Sequence, residues 1–143
     1  MKDNFHILLV EDNIGDVILA KEAFENTGIT DELIVASNGQ EALEILNELS
    51  NKGILPKLIL LDLNMPIING LEFLGTMRKN DRYKFIPTIL LTTSSAENDI
   101  RQAYNVGANA YLVKPFDNDE FNEMIKRMVE FWLFSAETVK ITG

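Results

Sequence analysis

Carboxylates, a hydroxyl and an ammonium recur in this chain at one kind of place, the position that follows a short apolar run. Glu11 and Asp12 follow residues 5–10, Asp62 follows 58–61 with Asn64 two positions on, Thr92 follows 88–91, and Lys114 follows 110–113. Pro66 stops the central run from continuing as regular structure, so Asp62 falls at the carboxyl end of a buried strand. Open α/β sheets bind their ligands at that edge. Taken singly, Asp62 reads equally well as a turn former, and the Glu11-Asp12 pair less readily as a solvated turn. Taken together, the three carboxylates repel, at ~4 kcal/mol for a pair about 4 Å apart at an effective dielectric of about 20, and call for a counterion. Oxygen donors alone favour a hard cation, and Mg²⁺ suits a shallow open rim better than Ca²⁺. Lys114 could end in a salt bridge only. With a metal and the Thr92 hydroxyl, however, it could cradle the oxygens of a phosphoryl group, with Asp62 as the nucleophile that forms an aspartyl phosphate.

The elements that must position these groups are five strands alternating with five helices. The strands are expected over residues 5–10, 32–36, 58–61, 88–91 and 110–113, all continuously apolar, as a parallel sheet covered on both faces requires. Each helix start repeats one device, a capping residue followed three positions later by an acid: Asn13 and Asp16, Asn38 and Glu41, Asn69 and Glu72, Ser94 and Glu97, Asp117 and Glu120. The pairs resemble capping boxes. They are spaced 25, 31, 25 and 23 residues apart, the length of a strand plus its crossover helix, with an insertion near 50–55 in the long interval. The predicted fold is α/β, a single doubly wound parallel sheet whose strand ends share one rim.

Composition narrows the function. A chain of 143 residues with 46% hydrophobic content buries one core without added cross-links. The absence of cysteine excludes disulfides, thiol catalysis and zinc-thiolate sites, and suits a cytoplasmic location. A net charge of -9 argues against nucleic acid as a partner. No apolar run is long enough to span a bilayer, and the first residues lack the apolar core of a signal peptide.

The motifs together resemble the receiver domain of two-component response regulators, typified by the chemotaxis regulator, over residues 4–134, with 135–143 as a tail. They are Leu9-Val10-Glu11-Asp12-Asn13, Leu61-Asp62-Leu63-Asn64-Met65-Pro66 with Gly70 eight positions past the aspartate, Leu91-Thr92, and Tyr111-Leu112-Val113-Lys114-Pro115-Phe116. Thr92 and Lys114 stand thirty and fifty-two positions beyond Asp62, an order and spacing more specific than any one motif. The resemblance implies a flavodoxin-like strand order, 2-1-3-4-5. It implies that Asp62 accepts a phosphoryl group from a histidine kinase or phosphotransfer protein, and that Glu11, Asp12, Asp62 and the Asn64 backbone carbonyl hold Mg²⁺. Thr92 and Tyr111 would act as the switch, Lys114 would contact the phosphate, and the Lys114-Pro115 bond would be cis. Output would leave through the fourth helix, fifth strand and fifth helix. Beyond its own phosphorylation and slow hydrolysis, the domain would act on no separate substrate. Thr93 departs from the alanine or glycine of many receivers, which implies restricted access to the phosphate. The 50–55 insertion and the opening Glu11-Asp12-Asn13-Ile14-Gly15-Asp16 resemble the stand-alone receivers associated with cyanobacterial phytochromes, and the nine residues past Phe134 are too few for a DNA-binding domain.

Two other functions fit the same outline less well. An aspartyl-phosphate phosphatase would place a second acid where this chain has Asn64, and a flavin-mononucleotide binder would place a Ser-, Thr- or Gly-rich loop where it has Glu11-Asp12. On the last helix Phe121, Ile125, Met128 and Trp132 form the expected core stripe. Met124, Phe131 and Phe134 lie off it, for cover by Val139 and Ile141 of the tail or for a partner or homodimer surface. His6 reads as structural, Asp81, Asp99 and Asp119 as solvated helix ends, and Asp16 as either a cap or a neighbour of the metal.

Overall fold

Continuous apolar runs make strands that bury both faces, and five of them lie side by side in a computed structural model that describes residues 6–28 and 32–139. In chain order the elements are β1 (His6–Val10), α1 (Ile14–Asn26), β2 (Glu32–Ala36), α2 (Gly39–Asn51), β3 (Leu58–Leu61), α3 (Gly70–Arg78), β4 (Thr88–Thr92), α4 (Glu97–Val106), β5 (Ala110–Val113) and α5 (Asn118–Val129). A π-helical segment, Glu130–Ser135, continues α5. All strand pairings are parallel, in the order β2-β1-β3-β4-β5. This is the doubly wound sheet expected from the sequence. Residue 5 of the first expected strand and Ile141 of the tail lie outside the described residues.

Alternate strand residues feed two cores. Leu8, Val10, Ile59, Leu61 and Leu90 pack under α2, α3 and α4 against Leu46, Phe73, Leu74 and Met77. Ile7, Leu9, Leu58, Leu60 and Leu91 pack under α1 and α5 against Phe24, Phe121, Ile125 and Met128. Each fully buried leucine contributes about 1.5–3 kcal/mol, so the central strand β3 is the best-anchored element. At the amino-end edge of the sheet, Arg78 donates to the carbonyls of Gly107, Lys84 and Ile86 and to Asn109 Oδ1. That guanidinium ties the end of α3 to the turns entering β4 and β5.

Four of the five capping residues act as read. Asn13, Asn38 and Asn69 each accept from the backbone N–H three positions on, Asp117 accepts from Asp119 and Glu120, and at Asn69 the Glu72 carboxylate completes the reciprocal box. Ser94 does not cap α4. Its hydroxyl donates to Asp99 Oδ2 at 2.6 Å and accepts from the Ala96 N–H, while Ala96 occupies the cap position without a side-chain bond. Asp99 is therefore a partner of Ser94 and not simply a solvated helix end.

Two further expectations are corrected. No peptide bond among the described residues is cis, Lys114-Pro115 included. The core stripe of the last helix runs Phe121, Ile125, Met128 and then Leu133, because the π-helical turn takes more residues per turn than an α-helix and rotates Trp132 out of register. Trp132 is half-buried, edge-on to Phe131 with ring centroids 5.3 Å apart. Phe131, Phe134 and Val139 are all more than half exposed, so Val139 leaves the two phenylalanines largely uncovered.

Candidate functional site

The parallel register puts the ends of β1, β3, β4 and β5 on one rim, and the backbone fixes the first residue past three of them. The Glu11 N–H donates to the Ala36 carbonyl at 2.9 Å, Asp62 N–H to Val10 at 3.0 Å, and Lys114 N–H to Thr92 at 2.8 Å. The ladder thus holds each of these residues at the carboxyl-end rim. Carboxylate oxygens of Glu11, Asp12 and Asp62 all lie within 4.8 Å of one another. Glu11 is buried, Asp62 half-buried and Asp12 exposed. Thr92 is fully buried, and Asn64 is exposed in the β3–α3 connection.

Lys114 reaches this cluster from the far side. Its ammonium makes ion pairs with Glu11 and, at 3.0 Å, with Asp16 Oδ2, and its side chain is 9% exposed. Asp16 is the residue that sequence reasoning left outside the site. Its backbone N–H is capped by Asn13, and the sequence left its carboxylate open between a cap and a neighbour of the metal. Neither the capping pair Asn13 and Asp16 nor the opening motif that ends at Asp16 specifies a partner 98 positions away.

Electrostatics marks the cluster as short of positive charge. Burial pushes the Glu11 carboxyl up to about 7, against the lowering effect of the Lys114 bond, with the Asp62 charge adding to the rise. Burial also raises Asp62, partly offset by Lys114. Burial works to lower Lys114, but its bonds to Glu11 and Asp16 outweigh this and hold its ammonium above the usual value. Oxygen-only donors, two of them carboxyls raised by burial, fit a divalent cation. The raised Glu11 value means the folded protein binds that proton more tightly than the unfolded chain, so this group costs stability as pH rises from about 4.5 to about 7. A divalent cation should therefore raise the thermal midpoint more at about pH 7.5 than at about pH 5. Paired melts with cation and with chelator check this, and equal shifts at both pH values would contradict it.

Thr92 and Tyr111, the two residues expected to act as a switch, are linked through Ser94. Ser94 N–H approaches the Thr92 hydroxyl at 3.5 Å, and the Tyr111 hydroxyl donates to the Ser94 carbonyl at 2.9 Å. Tyr111 is half-buried against the α2–α4 core, and burial raises its hydroxyl pKa. At the loop after β3, Gly70 packs against the backbone of Asp62: an added Cβ would lie 2.3 Å from the Asp62 carbonyl oxygen.

Residues 7–126 match the family model described as the response regulator receiver domain. The chain belongs to this family. Among similar proteins, the probable methanogenesis regulatory protein FilR2 of Methanothrix harundinacea is 37% identical over 133 residues, covering 92% of this chain and 86% of that protein. The crystal structure of the phosphorylated cyanobacterial phytochrome response regulator RcpA superposes with a TM-score of 0.89 at 34% identity, covering 96% of this chain and all of that one. The Mn²⁺-bound form of response regulator Rcp1, from Synechocystis, gives a TM-score of 0.85 at 34% identity over 95% of this chain and 99% of that one. This receiver domain is therefore a signalling domain of the two-component type, and the order of its strands agrees with the family's. No helix among its described residues is long and apolar enough to cross a membrane.

Proposed function

We propose that this receiver domain takes a phosphoryl group on Asp62 from a histidine kinase or phosphotransfer protein, with Mg²⁺ held by Glu11, Asp12, Asp62 and the Asn64 carbonyl. The observation that carries the reading is the grouping of three carboxylates within 4.8 Å, beside a buried hydroxyl and an almost buried ammonium, at one sheet edge. A bound cation supplies positive charge that offsets the repulsion between this acidic pocket and an incoming phosphoryl group. The chain's own residues do the rest. An Asp62 carboxylate oxygen forms the new P–O bond as the donor's P–N bond breaks, and the imidazole leaves with the electron pair. Lys114 and the Thr92 hydroxyl donate to the transferred oxygens.

The added charge then biases Thr92 and Tyr111, and through them the α4–β5–α5 face. Support for a protein donor comes from exposed apolar side chains around the same rim. Ile14 projects from the first turn of α1, and Ile67 and Phe116 from the loops after β3 and β5, at 77%, 77% and 103% exposure. Exposed Phe131 and Phe134 support a second protein contact, with a partner or another copy of the chain, on the last helix. Intact mass after incubation with acetyl phosphate tests the central step. A phosphoryl adduct is expected with Mg²⁺ and should be lost with chelator. Equal adduct in both conditions would overturn the cation's part, and its absence in both would overturn the assignment.

A further inference from the structure

Lys114 has two carboxylate partners, and they differ in what else they do. Glu11 belongs to the acidic cluster, with its oxygens facing Asp12 and Asp62. Asp16 sits in the first turn of α1, outside that cluster, and its carboxylate is 35% exposed. A cation bound by Glu11, Asp12 and Asp62 therefore competes with Lys114 for Glu11, but not for Asp16. An ammonium whose side chain is only 9% exposed cannot be left without an acceptor, since a buried charge without a partner is costly. If Asp16 were absent, the ammonium would have only the metal-binding carboxylates to pair with, and it would enter their pocket as a rival cation.

We propose that Asp16 is a positioning residue: it anchors the Lys114 ammonium on the α1 side of the pocket, so that the three acidic ligands can accept a divalent cation without displacing the lysine. The inference rests on the reading of Glu11, Asp12 and Asp62 as cation ligands. It assigns Asp16 a role that depends wholly on Lys114, and this separates it from a charge that merely adds to the acidic field.

A double-mutant cycle read by calorimetric titration with Mg²⁺ tests the assignment. Asp16→Asn should weaken Mg²⁺ binding by about three- to ten-fold while Lys114 is present, and by less than about two-fold in the Lys114→Ala background. Asp16→Glu, which keeps the charge, should stay within about two-fold of the starting protein and covers the case in which the asparagine variant folds poorly. Equal weakening with and without Lys114 would mean a plain field effect and would overturn this inference alone. Unchanged affinity in Asp16→Asn would overturn it as well. If the unaltered protein bound no Mg²⁺, both this inference and the ligand assignment beneath it would fall.

Discussion

Asp62→Asn should abolish the phosphoryl adduct formed with acetyl phosphate and Mg²⁺, reducing its yield by more than about a hundred-fold, because an amide oxygen is a poor nucleophile. The competing acceptors are the two neighbouring acids. Asp12 is exposed, and Glu11 is buried and already engaged by Lys114. Asp62 alone stands at the end of the central strand, half-buried, with its N–H fixed by the Val10 carbonyl at 3.0 Å. Loss of folding would not explain a negative result. Burial raises the Asp62 carboxyl, so its charge opposes folding in the cation-free protein, and the asparagine variant should melt at an equal or higher temperature. Intact mass and thermal melts on the same samples separate the two. An adduct that persists at the original level would place the acceptor elsewhere.

Gly70→Ala should be the most destabilising glycine-to-alanine change among the described residues, by about 2–4 kcal/mol. The new methyl group would meet the Asp62 carbonyl oxygen at 2.3 Å and the Leu63 Cα at 3.0 Å. Both are backbone atoms of the loop that carries the acceptor, so relief requires moving either the start of α3 or Asp62 itself. The Gly70 N–H also holds the Leu63 carbonyl at 3.0 Å, which ties the two segments together. Gly75 is the matched control. It lies within α3, where a methyl group would meet only Val106 Cγ1, at an ordinary 3.7 Å. Gly75→Ala should therefore stabilise the protein by about 0.5–1 kcal/mol through helix propensity. Urea unfolding of both variants measures the contrast, and similar midpoints would contradict the account of Gly70.

The contrast between these glycines shows what the sequence could carry. The place of Gly70 eight positions past Asp62 was legible as a motif, but the reason, contact with one particular peptide group, exists only after α3 docks. The strands were legible because residues such as 58–61 are apolar without alternation, which leaves few alternatives to a strand buried on both faces. The rim followed, since every acid, hydroxyl or ammonium at a strand end must share it. What sequence could not reach depends on contacts between distant segments or on small changes in helical pitch. Asp16 meets Lys114 only when α1 and β5 are brought together. Ser94 bonds Asp99 and Ala96 because α4 begins two residues later than a box centred on Ser94 would require. Leu133 displaces Trp132 from the core because the helix widens at Glu130, and the α-helical spacing of its apolar residues gives no sign of that.

This widening bears on how the protein can be observed. Trp132 is its single tryptophan, and α5 leads away from the carboxyl-end rim for about 20 Å before reaching it. Trp132 lines a surface cavity together with Pro87 and Asn109, which precede β4 and β5 at the amino-end edge of the sheet, the edge opposite Asp62. Its emission should consequently follow how residues 137–139 are seated, and a fluorescent reporter of the acidic pocket belongs near the loop after β3.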